Sequence, residues 1–394
     1  MDFGFTEEQE ELRKEVHDFI VKELPEDYRG ALFGVTPLDE ECASFTIKLQ
    51  GKTGEKGWLA PGWPKEYGGL GLEEIERGVI REEMGRWMLN WPNYVGSEIG
   101  GPAVLLFATE EQKKRFLPPV AEGKVQWDQL FTEPNAGSDE ANIQLRAAAD
   151  GDDFIFNGQK MFVGEIYESD YLYTLARTAD TTPKHRGLTL FLIPANTPGI
   201  SSRPLHCMSN QTKKEFFFDD VRVSKEYMLG ELNRGFYNAM ASLQLERAFL
   251  GNPSSDMRDF EEFVQYCKET KRNGKPLIED TQVRDALAQM AIELEVNRLA
   301  SWRTVWRVSQ QEKLGPLDYD LSTFFRRTFT TLRCKAMMDI MGLYGQLRTG
   351  SKGAPLAGVT GRKWLRARSL HAGGTTEILK VVLAERGLGL PRKR

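Results

Sequence analysis

The segment LHAGGTTEIL, residues 370–379, sets two glycines and two threonines between stretches of helical patterning. Paired glycines let a backbone come close to a phosphate or a cofactor ring. They serve equally as a helix stop and restart. As an active-site loop the segment has no acid before Glu377, and Glu377 already belongs to the next helix. A second candidate acid is Glu246 in SLQLERAFLG. On a helix, Ala239, Leu243, Glu246 and Leu250 share one stripe. The residues three and four away from Glu246 are Ser242, Leu243, Phe249 and Leu250, and none is charged. A carboxylate on an apolar stripe is desolvated, which raises its pKa toward that of a general base near neutral pH. The alternative fate of such a glutamate, an ion pair with another helix, stays open. Two further stretches can line a site. QLFTEPNAGSD (129–139) reads as a strand ending in a Pro-Asn-Ala-Gly turn. KMFVGE (160–165) reads as a half-buried strand carrying Phe162 and Val163 up to Gly164.

Helices must position the first third. Thr6 to Gln9 and Thr109 to Gln112 are capping boxes. Around the first, Phe5, Leu12, Val16, Phe19, Ile20 and Leu24 recur at helical spacing. The second opens a helix expected to stop at Pro118-Pro119. Between them GWLAPGWPKEYGGLG (57–71) is a turn-filled connection. The period then changes. DFIFNGQKMFVG holds Asn157-Gly158, the strongest short hairpin signal, and YLYTLART, GLTLFLIPA and EFFFDDVRV read as strands. Long apolar stripes of helical period return after residue 230. Helices, a compact β block and long helices predict an α+β chain, with helical domains at 1–122 and 231–394 around a β domain at 123–230. No GxGxxG follows a strand, so a Rossmann site is not supported.

The chain has 394 residues, 40% of them hydrophobic and 28% charged, enough apolar material for a large core. Its formal net charge of −5 steers it away from nucleic acid, and the terminal PRKR reads as a solvated tail. The four cysteines, Cys42, Cys207, Cys267 and Cys334, form no CxxC pair and only four histidines are present, which argues against structural zinc and suits a reducing compartment. The N-terminus lacks the apolar run of a signal peptide and no window reaches membrane-span length, so a cytoplasmic location is expected.

GWPKEYGGLG, TEEQKKRFLPPVAEGK, FTEPNAGSD, NGQKMFV, MLGELNRGF, QLER and AGGTTEI followed by ERGLGLPR stand in one order along the chain. In that order and spacing the chain resembles the acyl-CoA dehydrogenases, over essentially its whole length. The resemblance implies an N-terminal helical domain, a middle β-barrel and a C-terminal four-helix bundle, with FAD between barrel and bundle. It implies α,β-dehydrogenation of an acyl-CoA thioester: a glutamate takes the α-proton while the β-hydride passes to flavin N5, and electrons leave to an electron-transfer flavoprotein. By resemblance, Phe131 and Thr132 meet the flavin pyrimidine edge and Ser138 lies near flavin and thioester. Phe162 occupies the position of a flavin-stacking aromatic, with Val163 beside it. Many relatives keep the base at the position that reads Gly373 here. In isovaleryl-CoA and long-chain acyl-CoA dehydrogenases it precedes an arginine in the first helix of the C-terminal domain, which maps it to Glu246, followed by Arg247 as a substrate contact. Gly373 then lines the substrate side, and Thr375 and Glu377 face the cofactor or simply start a helix.

The chain departs from the family pattern in four places. Gly164 stands where a hydroxyl residue often reaches flavin N5. Thr270 and Asn273 replace the Arg and Phe of a contact that crosses between subunits, leaving Lys271 or Arg272 to supply the charge. Asp339 replaces a glutamine. The assembly implied is a homotetramer, or a heterotetramer with a related chain in which one chain type lacks part of the site. The same fold also serves flavin enzymes that react with oxygen or eliminate a substituent. LNWPNYVGSEIGG (89–101) either admits a branched or cyclic acyl group or merely packs.

Overall fold

The structure, a computed structural model, describes residues 4–24, 40–87, 93–164, 168–209, 212–312, 314–369 and 373–392; the side chains of 40–44, 46, 244–250 and 369 fall outside that description. Five helices come first: α1 (Glu7–Glu23), α2 (Glu40–Glu55), α3 (Glu74–Arg86), α4 (Gly101–Phe107) and α5 (Glu110–Ala121). Both capping boxes form. The Thr6 and Thr109 hydroxyls accept from the backbone N–H of Gln9 and Gln112 at 3.3 and 3.2 Å. The α1 stripe is real, with Val16 and Ile20 fully buried. The expected stop at Pro118-Pro119 is not observed, because α5 runs on to Ala121. Both prolines sit in its last turns, where Pro118 still accepts from Glu122, and burial of Phe116, Leu117, Val120 and Ala121 offsets the donors they lack.

The middle block holds β1 (Trp127–Leu130), β2 (Arg146–Asp150), β3 (Asp153–Val163), β4 (Tyr171–Arg177), β5 (Leu188–Pro194), β6 (Ile200–His206), β7 (Thr212–Ser224) and β8 (Met228–Leu229). They form one sheet in the order β6-β7-β3-β2-β4-β5-β8, with β1 against β4. The barrel implied by resemblance does not close among the described residues. Two antiparallel ribbons, β6-β7-β3-β2 and β4-β5-β8, share a single residue pair, Arg146 with Arg177. At the far end β8 is two residues long, too short to carry a ladder across to β6. The ribbons instead curl around phenylalanines, with the Phe191 ring 5.1 Å from Phe154 and 5.0 Å from Phe156. Asn157-Gly158 is not a hairpin turn either. β3 runs straight through it, and the bulge lies opposite on β7, where Asp219 and Asp220 (φ 48°) together face Asn157 and the register shifts. The Asn157 side chain exchanges hydrogen bonds of 2.9 and 3.0 Å with Asp220, so the strand continues and the true turn falls at Gly151 (φ 64°).

The last third holds four long helices, α6 (Gly235–Leu250), α7 (Ser254–Glu269), α8 (Thr281–Ser309) and α9 (Pro316–Met341), then short α10 (Val359–Ser369) and α11 (Thr376–Val382). A two-residue hairpin, β9 (Lys271–Arg272) and β10 (Lys275–Pro276), joins α7 to α8. One face of the sheet, with Tyr173, Leu175, Leu188, Leu190 and Leu192, packs in one core with Ala239 and Leu243 of α6. No described helix is long and apolar enough to cross a membrane.

Candidate functional site

β1 delivers Phe131 and Thr132 to the sheet end. Phe131 is buried, its ring 5.4 Å from that of Tyr173. Beyond it Glu133 and Ala136 exchange backbone hydrogen bonds, closing the turn read from the sequence and leaving Ser138 exposed. β3 arrives alongside, where Met161 N–H donates to the Thr132 carbonyl at 2.9 Å. Between Lys160 and Val163 the register against β7 shifts again. At this second bulge Phe162 takes φ 57°, a strained conformation for a bulky residue. The residue is 55% exposed, whereas Val163 is buried. Gly164 also has positive φ, 46°, and a Cβ there would collide with the Asp128 carboxylate. Asp128 is held by Lys214 at 2.8 Å and by the Ser169 hydroxyl.

Beneath this edge lies an ion pair that the sequence reading missed. Lys160 is fully buried, and its ammonium donates to Glu133 Oε1 at 2.7 Å, the Leu175 carbonyl at 2.8 Å and the Phe131 carbonyl at 3.0 Å. The Glu133 carboxylate also accepts from the N–H groups of Gln144 and Leu145 at 2.6 and 2.9 Å. Burial pushes Lys160 down to about 8, with Glu133 pulling the other way. The signal was available: Lys160 keeps the parity of the inward-facing Phe154 and Phe156.

Helix α6 meets the sheet through a buried polar contact, Tyr173 Oη to Ser242 Oγ at 3.2 Å, and burial raises the Tyr173 phenol pKa. Ser242 in turn donates to the Ala239 carbonyl at 2.9 Å. Positions 246 and 247 follow one turn later on the same helix. The Glu246 and Arg247 side chains lie outside the described residues. Gly373 and Gly374 both adopt positive φ, 72° and 93°. Arg327 of α9 donates to the Gly374 carbonyl, Thr375 caps α11 by accepting from Ile378 N–H at 3.1 Å, and Glu377 lies exposed in the first turn. His371 and Ala372 are outside the described residues.

Among the described residues, Arg272 is not brought to this group by contacts within the chain. It donates to the Ile340 carbonyl near the end of α9, while Asn273 and Gly274 take φ 53° and 81° in the hairpin turn. Ile340 lies 13 residues beyond Arg327, roughly 20 Å along the helix. Asp339 pairs with Lys335 at 2.6 Å. In the segment 93–101, added β-carbons at Gly96, Gly100 and Gly101 would strike Asn93, Trp127 and Trp63, so these glycines serve packing.

The described site therefore offers an exposed aromatic ring on a strained bulge, which fits the flat face of a flavin. Family models for the N-terminal, middle and C-terminal domains of acyl-CoA dehydrogenase match residues 6–124, 129–221 and 233–388. The acyl-CoA dehydrogenase FadE26 of Mycobacterium tuberculosis is 31% identical, covering 100% of this chain and 99% of that protein. The chain belongs to the acyl-CoA dehydrogenase family. Among solved structures, the ChsE4-ChsE5 complex of M. tuberculosis superposes with a TM-score of 0.89 at 31% identity, and the Tcur3481-Tcur3483 steroid ACAD with 0.90 at 31%, each covering 100% of both chains. Acyl-CoA dehydrogenases are FAD flavoproteins, and this one is an oxidoreductase whose general reaction is dehydrogenation of an acyl-CoA.

Proposed function

We propose that this acyl-CoA dehydrogenase forms the 2-enoyl-CoA with Glu246 as the base. The carrying observation is the turn at 373–374. Both glycines have left-handed backbone, so a glutamate at 373 would be strained there, and the loop is built without the acid. The acid then comes from α6, which Tyr173 and Ser242 pin to the sheet one turn before position 246. In this reading Glu246 removes the α-proton and Arg247 and Ser138 contact the substrate beside Gly373. Phe131, Thr132, Phe162, Val163 and Gly164 form the flavin-side edge, and Thr375, Glu377 and Arg272 attend the outer parts of the cofactor. FAD, when bound, supplies the hydride acceptor, and an electron-transfer flavoprotein takes the electrons. Glu246→Gln should keep bound FAD and lose nearly all flavin bleaching by acyl-CoA; a variant that still bleaches at a comparable rate refutes the assignment.

The assembly we favour contains a second, related chain. Arg272 lies apart from the other predicted contacts, in keeping with a contact made across subunits. Ile292, Val296, Leu299 and Trp306 line an exposed heptad-spaced stripe on α8, between 42% and 59% exposed, which fits a partner helix. Two structural neighbours pair two different chains, and one is described as a steroid enzyme, which favours a bulky polycyclic acyl group. Purified alone, this chain should run smaller than with its co-expressed partner. A panel of straight, branched and polycyclic acyl-CoAs should show the fastest bleaching with the polycyclic class; a stable, fully active homotetramer removes the second chain from the reading.

A further inference from the structure

We propose that the buried Glu133–Lys160 ion pair is a positioning device for the flavin-facing edge, setting the Thr132 backbone against the Phe162 ring. The inference rests on the flavin-side reading given above. Two charges almost fully removed from water are an expensive way to hold a sheet together, since an apolar pair of similar volume serves stability as well. What an apolar pair cannot do is fix direction. The three protons of the Lys160 ammonium each have an acceptor, and those acceptors lie on two separate segments: Phe131 and Glu133 on the stretch that follows β1, and Leu175 on β4. The Glu133 carboxylate is fixed from a third segment by Gln144 and Leu145. Every bond is between 2.6 and 3.0 Å, so the pair is saturated.

The placement of the pair ties this rigidity to the flavin edge. Lys160 is the last β3 residue in register before the bulge that turns Phe162 outward, and Glu133 directly follows Thr132. The bulge is thus anchored immediately before Phe162 by the ammonium and by the Met161–Thr132 backbone bond. Loss of the pair frees the strained φ of Phe162 to relax, which moves the ring away from a fixed stacking position. Charges of opposite sign in contact nearly cancel at a distance, so the pair acts through geometry more than through its field.

The test compares the wild type with the double variant Glu133→Gln/Lys160→Met, which removes both charges together so that neither ion is left buried without its counter-ion. FAD is titrated into each apoprotein by its fluorescence, the visible circular dichroism of bound FAD is recorded, and urea unfolding of the apoprotein is followed separately. The expected result is a urea midpoint near that of the wild type, an FAD Kd raised at least tenfold and an altered flavin dichroism band. An FAD Kd within twofold of wild type together with an unchanged band overturns the proposal. A double variant that does not fold also overturns it, by making the pair a requirement of folding. A wild-type chain that binds no FAD, alone or with its partner chain, overturns the flavin-side reading, and this inference with it.

Discussion

Gly164→Ser restores the hydroxyl that the family often carries two residues after its stacking aromatic, and it should nevertheless damage this protein. Gly164 sits at φ 46°, where a residue with a β-carbon is disfavoured by about 1–2 kcal/mol. The new Cβ also takes the place of the Asp128 carboxylate. Asp128 must then loosen its pairing with Lys214 at 2.8 Å and its bond from Ser169, and losing one such charge-assisted bond costs about 1.5–3 kcal/mol. The sum is roughly 2.5–5 kcal/mol. The decisive assay is a double-mutant cycle by urea unfolding of the apoprotein, because bound FAD would raise apparent stability. With Asp128→Ala in the background, adding Gly164→Ser should cost only the backbone part, about 1–2 kcal/mol. The reasoning fails if Gly164→Ser alone costs less than about 1 kcal/mol, or if its cost is the same in both backgrounds.

Other consequences are quicker to check. Tyr173→Phe removes the buried link to Ser242 and should lower stability by about 1 kcal/mol in the same urea assay, with no loss of FAD. Burial pushes the Cys267 and Cys334 thiols up to about 11 and about 12, so iodoacetamide at pH 8 should modify half-buried Cys207 and spare those two, read by peptide mass spectrometry on the native protein. Burial raises Asp259 to about 6 against the pull of Lys363. The folded chain then keeps a proton that the unfolded chain releases, so this group's contribution is full below about pH 4 and lost as pH rises through 6. Asp259→Asn should abolish that loss, worth about 2 kcal/mol between the two pH values, in urea midpoints compared at pH 4 and 7.

The helices were legible because their signals are local. Thr6 with Gln9 and Thr109 with Gln112 bond within one turn, and no distant partner can reverse that. The β block was harder, since each of its signals depended on a partner strand. Asn157-Gly158 carries the chemistry of a tight turn, yet Asp220, in a bulge of β7, satisfies the asparagine and lets β3 run on through it. β6, with Pro204 inside it and little burial, gave no alternation to find. At the site, the aromatic at 162 and the cap at 375 could be seen in sequence, as could the glycine turn. The inward parity of Lys160 could be read from Phe154 and Phe156, but its pairing with Glu133 could not, because 27 residues separate the two. The clash that keeps residue 164 a glycine comes from Asp128, a residue whose importance appears only when β1 and the end of β3 are side by side.

Helix α9 has a metric consequence. It carries Arg327, which grips the glycine turn, and the Ile340 carbonyl, which grips the hairpin arginine. The stretch between them is a gauge rod of fixed pitch. One residue inserted there would rotate one grip about 100° relative to the other and advance it by about 1.5 Å, so both could not hold. A full extra turn would restore the angle but part the grips by about 5 Å. Length variation among proteins built this way should therefore collect before residue 316 and after residue 341, leaving the interval between the two grips constant.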